Sequence, residues 1–510
     1  MSEKTVTKDR SLVDPPAALI SRNPLQWFRF FGPGAIAASI TIGSGETLFA
    51  SRGGSIFGYD ILWVFLWIAL LKWVLVYGSV RHIVLSGGHP FERWTELPGP
   101  RGWFPLFMVL TAVFCWPFWT SFLAGLLGTA CTWTFGIGDY YWWATGCLAL
   151  IVLLLTIGSY NFLEKSLTIL IGLKLAAILA ALFYLRPDWW DLVKNLILPH
   201  KLAYPEWALQ KLPDLQQRSA WLEIMVYISA IGGASHDYLA YVSWIREKSW
   251  GWSHLGQASA AELAETAARK DHPARLWLRA AQVDTITSFA LVVIFSAAFS
   301  VLGTLVLRPE QLVPDGTDLL NYQGKYLETL AHWLLPLYKV GIFCVFFGML
   351  YGGQAMCFRV IYEYLITIER WRTRVPNWPI RWPIMAWSIG GGILILWISK
   401  LWPEIKPIDI VTLPSIFTGV LSCGFYCLVN PWMDRKFLPV TLRMNRALVF
   451  WNYIAAILFF LIGFKGLWDY GVSHFESWGR YGGWGGFIML AVFILFCFMA
   501  AHAVRNLRKI

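Results

Sequence analysis

The chain is built from unbroken apolar runs of about 20 residues, the length that carries an α-helix across the hydrocarbon of a bilayer. Strands of a membrane barrel would instead alternate apolar and polar residues over about ten positions. Composition agrees with helices in lipid. The 510 residues are 57% hydrophobic and 17% aromatic, and only 14% are charged, against about 25% in soluble domains. The 31 tryptophans suit the membrane–water interface, where an amphipathic ring sits at headgroup level. An all-α integral membrane protein is expected.

Apolar runs of spanning length predict about twelve helices, near residues 32–57, 60–86, 103–133, 139–158, 161–185, 219–245, 281–307, 331–366, 383–400, 407–430, 447–466 and 484–504. Residues 1–31 carry Lys4, Lys8, Arg10, Arg22 and Arg29 among Pro and Ser, without the short apolar core of a cleaved signal. They are expected to form a cytoplasmic tail. Counting Arg and Lys in the connections gives a bias of roughly two to one for cytoplasmic N- and C-termini in a multi-pass protein of the plasma (inner) membrane. The connection 186–218, rich in Trp, Pro and Leu, then lies outside as a surface segment. The cytoplasmic loop 246–280 holds the capping box Ser259-Ala-Ala-Glu262 ahead of an Ala-rich run, which predicts a short helix.

The net charge of +11 does not point to nucleic acid, because the basic residues are spread between apolar runs. The eight cysteines, among them Cys423 and Cys427 at i,i+4 spacing, form neither a disulfide framework nor a zinc motif. No nucleophile with its base and no phosphate loop is visible, so an enzyme is not expected. Neither is a cofactor.

Ionisable residues inside a span cost several kcal/mol unless paired or wetted, so each is a functional candidate. Lys72, Arg81, Asp284, Arg359 and Glu363 fall near expected span ends, where snorkelling or capping accounts for them. Glu46, Arg52, Lys174, Glu223, His236, Asp237, Lys339 and Asp409 remain. Arg52, Lys174 and Lys339 are expected to be internal counter-charges. Glu46 closes the run Gly43-Ser44-Gly45-Glu46, whose glycines each weaken a helix by about 1 kcal/mol relative to alanine. The sixth span repeats the pattern as Ile231-Gly-Gly-Ala234-Ser235-His236-Asp237. Interrupted helices opening two five-helix halves are the sequence mark of a transporter's central site. Glu46 and Asp237 would supply negative charge there. Carbonyls of Gly43, Ile231 and Ala234 would complete an oxygen-rich cation shell, with His236 orienting or gating it. Ser44, Gly45, Ser235, Gln354 and Glu223 would support the pathway.

These residues resemble the natural resistance-associated macrophage protein (Nramp) family of divalent-metal transporters. The resemblance is carried by Gly32-Pro-Gly34, eight residues, then the four-residue motif, then Phe57-Gly-Tyr59 and Leu62-Trp63. Gly128-Thr-Ala130, Val283-Asp-Thr285, Gly353-Gln354, Leu413-Pro414 and Arg443-Met-Asn445 extend it over most of the chain. It implies two inverted five-helix repeats, residues 32–185 and 219–430, with broken helices 1 and 6. Residues 431–510 would add two further helices. Alternating access would expose a central metal site to either side. The family's Asp-Pro-Gly-Asn is replaced here by Gly43-Ser44-Gly45-Glu46, and its Met-Pro-His-Asn by Ala234-Ser235-His236-Asp237. The soft methionine is lost and two carboxylates are gained, which resembles the magnesium-transporting branch, although that branch keeps the aspartate. Where typical members carry proton-handling residues on helices 3 and 6, this chain has Phe122, Gly125 and Tyr241.

The expected function is therefore secondary transport of a divalent metal cation, of the Mg2+ or Mn2+/Fe2+ type, with the metal as substrate and the lipid bilayer as its other partner. The alternatives are a carrier of an amino acid or amine, in which a carboxylate binds the ammonium, and an ion sensor that moves nothing.

Overall fold

The computed structural model describes residues 11–21, 23–27, 45–157, 172–173, 176, 178–216, 218–314, 322, 324, 335–367, 377–402 and 407–507. Every regular element among them is helical. A π-turn, Gly45–Ala50, runs into α1 (Ser51–Phe57), which ends at Gly58 with φ +66°. There follow α2 (Leu62–Ser86), α3 (Trp103–Phe135), α4 (Tyr140–Ile157) and the short α5 (Trp189–Ile197). The sixth span is split into α6 (Ala220–Ala230) and α7 (Ser235–Glu247). Next come α8 (Ala260–Ala268), α9 (Leu278–Leu302), α10 (Leu335–Thr367), α11 (Gly391–Leu401) and α12 (Ser422–Phe437). The last pair is α13 (Arg446–His474) and α14 (Gly483–Leu507).

Among the described residues eight helices are long and apolar enough to cross a membrane, with Tyr140–Thr156 as a shorter ninth. The expected run 161–185 and the first half of 32–57 fall largely outside the described residues, and the sixth span is divided by its break. These account for the difference from twelve. The capping box of α8 forms as its sequence predicts, with Ser259 and Glu262 each serving the other's backbone N–H.

Helix α3 packs against α4, α10 and α11, while α2 lies against α9, α12 and α13. Helix α6 packs on the π-turn Ser415–Leu421 that leads into α12. Close crossings use glycine. A Cβ at Gly54 of α1 would stand 1.9 Å from the Ser300 carbonyl oxygen of α9, and one at Gly303 would stand 2.3 Å from that of Ser51. Small residues let helix backbones touch where lipid offers no hydrophobic drive for association. On α13 and α14 the large apolar side chains point outward, among them Leu461, Val492 and Leu495, as a bilayer-facing surface requires.

The two faces can be told apart by their contacts. Trp277 donates to the Val13 carbonyl, Arg279 to that of Leu19, and Trp103 stacks on Phe498 of α14. The N-terminal segment, the connections 87–102 and 246–280 and the end of α14 therefore share one face, called here the terminal face. The connection 186–218, with α5 on it, lies on the other.

Candidate functional site

The site begins with the break between α6 and α7. Gly232 and Gly233 adopt φ of +68° and +92°, where only glycine is unstrained. The helical ladder stops there, and α7 restarts with the Asp237 Oδ2 accepting from the Ala234 N–H at 2.7 Å. The carboxylate thus caps the half-helix, leaving its other oxygen 3.4 Å from His236 Nε2.

Both residues line a cavity of about 90 Å³ bounded by α3, the helix break and α10. Ser229, Gly233, Ala234, Thr120 and Gln354 supply further polar lining, and Trp116, Trp119, Leu123, Met349 and Leu350 form apolar walls. Trp116 meets the His236 ring edge-on, centroids 4.5 Å apart. Gln354 is held by both ends, donating to Thr120 Oγ1 at 2.9 Å and accepting from Ser388 Oγ at 2.6 Å. Three buried polar atoms on the lining residues have no hydrogen-bond partner among the described residues: His236 Nδ1, Trp119 Nε1 and Ser229 Oγ. Leaving a buried polar group unmatched costs about 1–3 kcal/mol, so such atoms mark a place for a ligand or water.

The structure thus brings Ala234, His236, Asp237 and Gln354 to one cavity and buries Ser235 at the first turn of α7. Gly43 and Ser44 lie outside the described residues. Gly45 and Glu46 open the π-turn ahead of α1, the Glu46 side chain also lying outside them. Among the described residues no group of three His, Cys, Asp or Glu could hold a metal.

Glu223 stands elsewhere. It is seven residues before the end of α6, about 10 Å along the helix axis toward the face opposite the termini. There it accepts from Arg52 at 2.7 Å, lies 3.0 Å from Arg218 and accepts from Tyr227 Oη at 2.6 Å. Arg218 continues to Asp409 at 2.7 Å, and Arg52 to the Pro314 carbonyl at 2.6 Å. Arg52 and Asp409 thereby find their partners. Lys339 donates to the Trp133 carbonyl at 3.0 Å, and Lys174 lies outside the described residues.

Sequence reasoning passed over several residues, among them Thr120, Trp116, Trp119 and Ser229 of the lining, Met349 and Lys72. Met349 lines the cavity from α10, and nothing in its local sequence distinguishes it from packing. Lys72 was assigned to a span end and snorkelling, whereas it is fully buried, at least about 15 Å along α2 from either end. Its ammonium sits on the carbonyls of the broken sixth span, reaching Ile231 at 2.9 Å. Ile231, expected among the cation ligands, already serves a cation of the protein itself. Mid-span position was the signal available in the sequence.

A broken sixth span facing a lined central cavity, inside a bundle of apolar helices, defines a multi-pass membrane transporter of the inverted-repeat type. The chain belongs to the natural resistance-associated macrophage protein-like family, whose profile matches residues 34–469. It is similar in fold to a mutant of the Eremococcus coleocola manganese transporter, with TM-score 0.66 and 13% identity over 97% of this chain and 98% of that one. The same transporter in complex with an aromatic bis-isothiourea compound gives TM-score 0.65 at 14% identity, with the same coverage of both chains. Mhp1, a nucleobase-cation-symport-1 family transporter, gives TM-score 0.50 at 12% identity, over 93% of this chain and 92% of that one. No curated protein sequence matches the chain.

Proposed function

We propose that the chain moves a divalent metal cation across the membrane by alternating access, with the ion held at the break of the sixth span. The observation that carries this reading is the set of unsatisfied polar atoms, His236 Nδ1 and Ser229 Oγ above all, on the walls of the cavity that Asp237 also lines. Asp237 supplies charge through the oxygen not engaged with Ala234, and His236 an imidazole nitrogen. Glu46, Gly43 and the Ala234 carbonyl complete the shell, and the Trp119 N–H serves a water that the ion retains. Oxygen ligands with one imidazole suit a hard to borderline ion such as Mg2+ or Mn2+. The protein acts on the metal as cargo and performs no covalent chemistry.

The terminal face carries Arg93, Arg246, Arg269, Lys270, Arg275, Arg279, Lys436 and Arg443, which supports a cytoplasmic assignment for it and for both termini in a plasma membrane.

Divalent-ion flux into proteoliposomes, with Mg2+, Mn2+ and Ca2+ and an internal pH reporter, tests the function. Asp237→Asn keeps the oxygen that caps α7 and removes the charge. It is expected to abolish saturable uptake while the protein stays folded, and Glu46→Ala is expected to do the same. Equal uptake by wild type and Asp237→Asn would refute the site. The indole walls of Trp116 and Trp119 favour a second reading, an organic amine bound by cation–π contact. Competition of uptake by alkylamines, without any flux of metal, would establish it.

A further inference from the structure

The helical ladder ends at the break: the Tyr227 carbonyl takes the last α-helical bond of α6, from the Ile231 N–H at 2.9 Å, and the Ala230 carbonyl a turn bond from the Gly233 N–H at 3.2 Å, while four other carbonyls turn to a side chain. Those of Ile228, Ser229, Ile231 and Gly233 converge on the Nζ of Lys72, at 2.6, 3.2, 2.9 and 2.5 Å. An ammonium has three protons to donate, so four oxygens around it describe the coordination of a cation rather than a set of separate hydrogen bonds. The cage also stands at the C-terminal end of α6, where the helix dipole favours positive charge. Unwound carbonyls with a half-helix C-terminus are the arrangement by which broken-helix transporters hold sodium.

We propose that Lys72 is a resident cation, tethered by its own side chain in an alkali-cation site at the broken sixth span, and that it makes the transporter independent of sodium and potassium. Lys72 is then a positioning residue. Its ammonium fixes the carbonyls on both sides of Gly232, and so the geometry in which Ala234 meets Asp237 and His236 faces the cavity. Removing the ammonium leaves a carbonyl cage that a free monovalent cation can fill.

The test uses the full chain in detergent and in proteoliposomes, as wild type, Lys72→Met and Lys72→Gln. Thermal unfolding is followed in sodium, potassium or N-methylglucamine chloride at one ionic strength. Wild type is expected to melt at the same temperature in all three. Lys72→Met is expected to melt lower in N-methylglucamine and to recover a few degrees saturably with sodium or potassium, as ligand binding to the folded state requires. Lys72→Gln should respond less, because its amide donates to part of the cage. A saturable response of the wild type to either ion would overturn the proposal even if neither variant folds. So would a folded Lys72→Met that ignores both ions. Only the flux arm rests on the metal-transport reading: there Lys72→Met should acquire alkali-ion-dependent uptake. Absence of uptake in every variant would count against metal transport and leave the melting result to decide on Lys72.

Discussion

Glu223 answers two guanidinium groups at once, and both of its partners are almost as buried as it is. Removing one member of a buried charge network leaves the others uncompensated, at a cost of about 3–5 kcal/mol. Glu223→Gln is therefore expected to lower the melting temperature sharply. Asp409→Asn touches the same network at a carboxylate 42% exposed to solvent, where an ion pair contributes about 0–1 kcal/mol. Thermal unfolding of the two variants side by side checks the contrast. The sequence exposed Glu223 and Arg52 as intramembrane charges, but they are 171 positions apart, and one sequence holds no information on which distant charges meet. His236 and Asp237 were legible because glycines announced the break beside them. Lys72 was missed for the opposite reason, since four carbonyls hold its ammonium and no residue type reveals them.

Most helices could be found from their apolar runs, within a few residues at each end. The break was legible too, because only glycine accepts the φ values of Gly232 and Gly233. What the runs could not give is how the helices cross. The α1–α9 crossing depends on Gly54 and Gly303, whose sequence context differs little from that of other glycines. Gly54→Ala must push two backbones apart and is expected to cost about 1–3 kcal/mol. Gly146→Ala in α4, where an added Cβ meets nothing within 4 Å, should be neutral or stabilising through helix propensity. Unfolding midpoints of the two variants test this.

The short helix Pro90–Trp94 makes a second prediction at this scale. His89 caps it, Nδ1 accepting from the Phe91 N–H at 3.3 Å while Nε2 faces Ser243 Oγ at 3.1 Å. Burial, together with the charges of Arg246 and Arg359, holds this imidazole well below the ordinary histidine range. The folded state thus resists a proton that the unfolded chain accepts. Its contribution is complete above the ordinary histidine pKa of about 6.5 and is lost as pH falls below it. Melting temperature should decline from pH 7 to 5, and His89→Gln should flatten that decline.

The whole molecule has two faces of different chemistry, and the chain's charge distribution already hinted at them. Cysteines introduced at Lys194 and Lys270, both exposed, are expected to react with an impermeant maleimide from opposite sides of sealed membranes, Lys270 from the cytoplasm. Of the eight native cysteines seven are buried and Cys344 is partly so, which keeps background labelling low. Reaction of both from one side would overturn the assignment of faces.

The knot of Arg52, Glu223, Arg218 and Asp409 ties α1, α6 and the helix Pro407–Pro414 together on the face away from the termini. Opening that face means rehydrating Arg52, Glu223 and Arg218 in a single event, because none of these three buried charges can leave without stranding another. Such a step is steep in temperature and nearly blind to bath salt, since ions in solution screen buried pairs weakly. The knot would then act as the slow tick of the transport cycle: cooling should stretch the interval between turnovers far more than it changes how tightly the cargo is held.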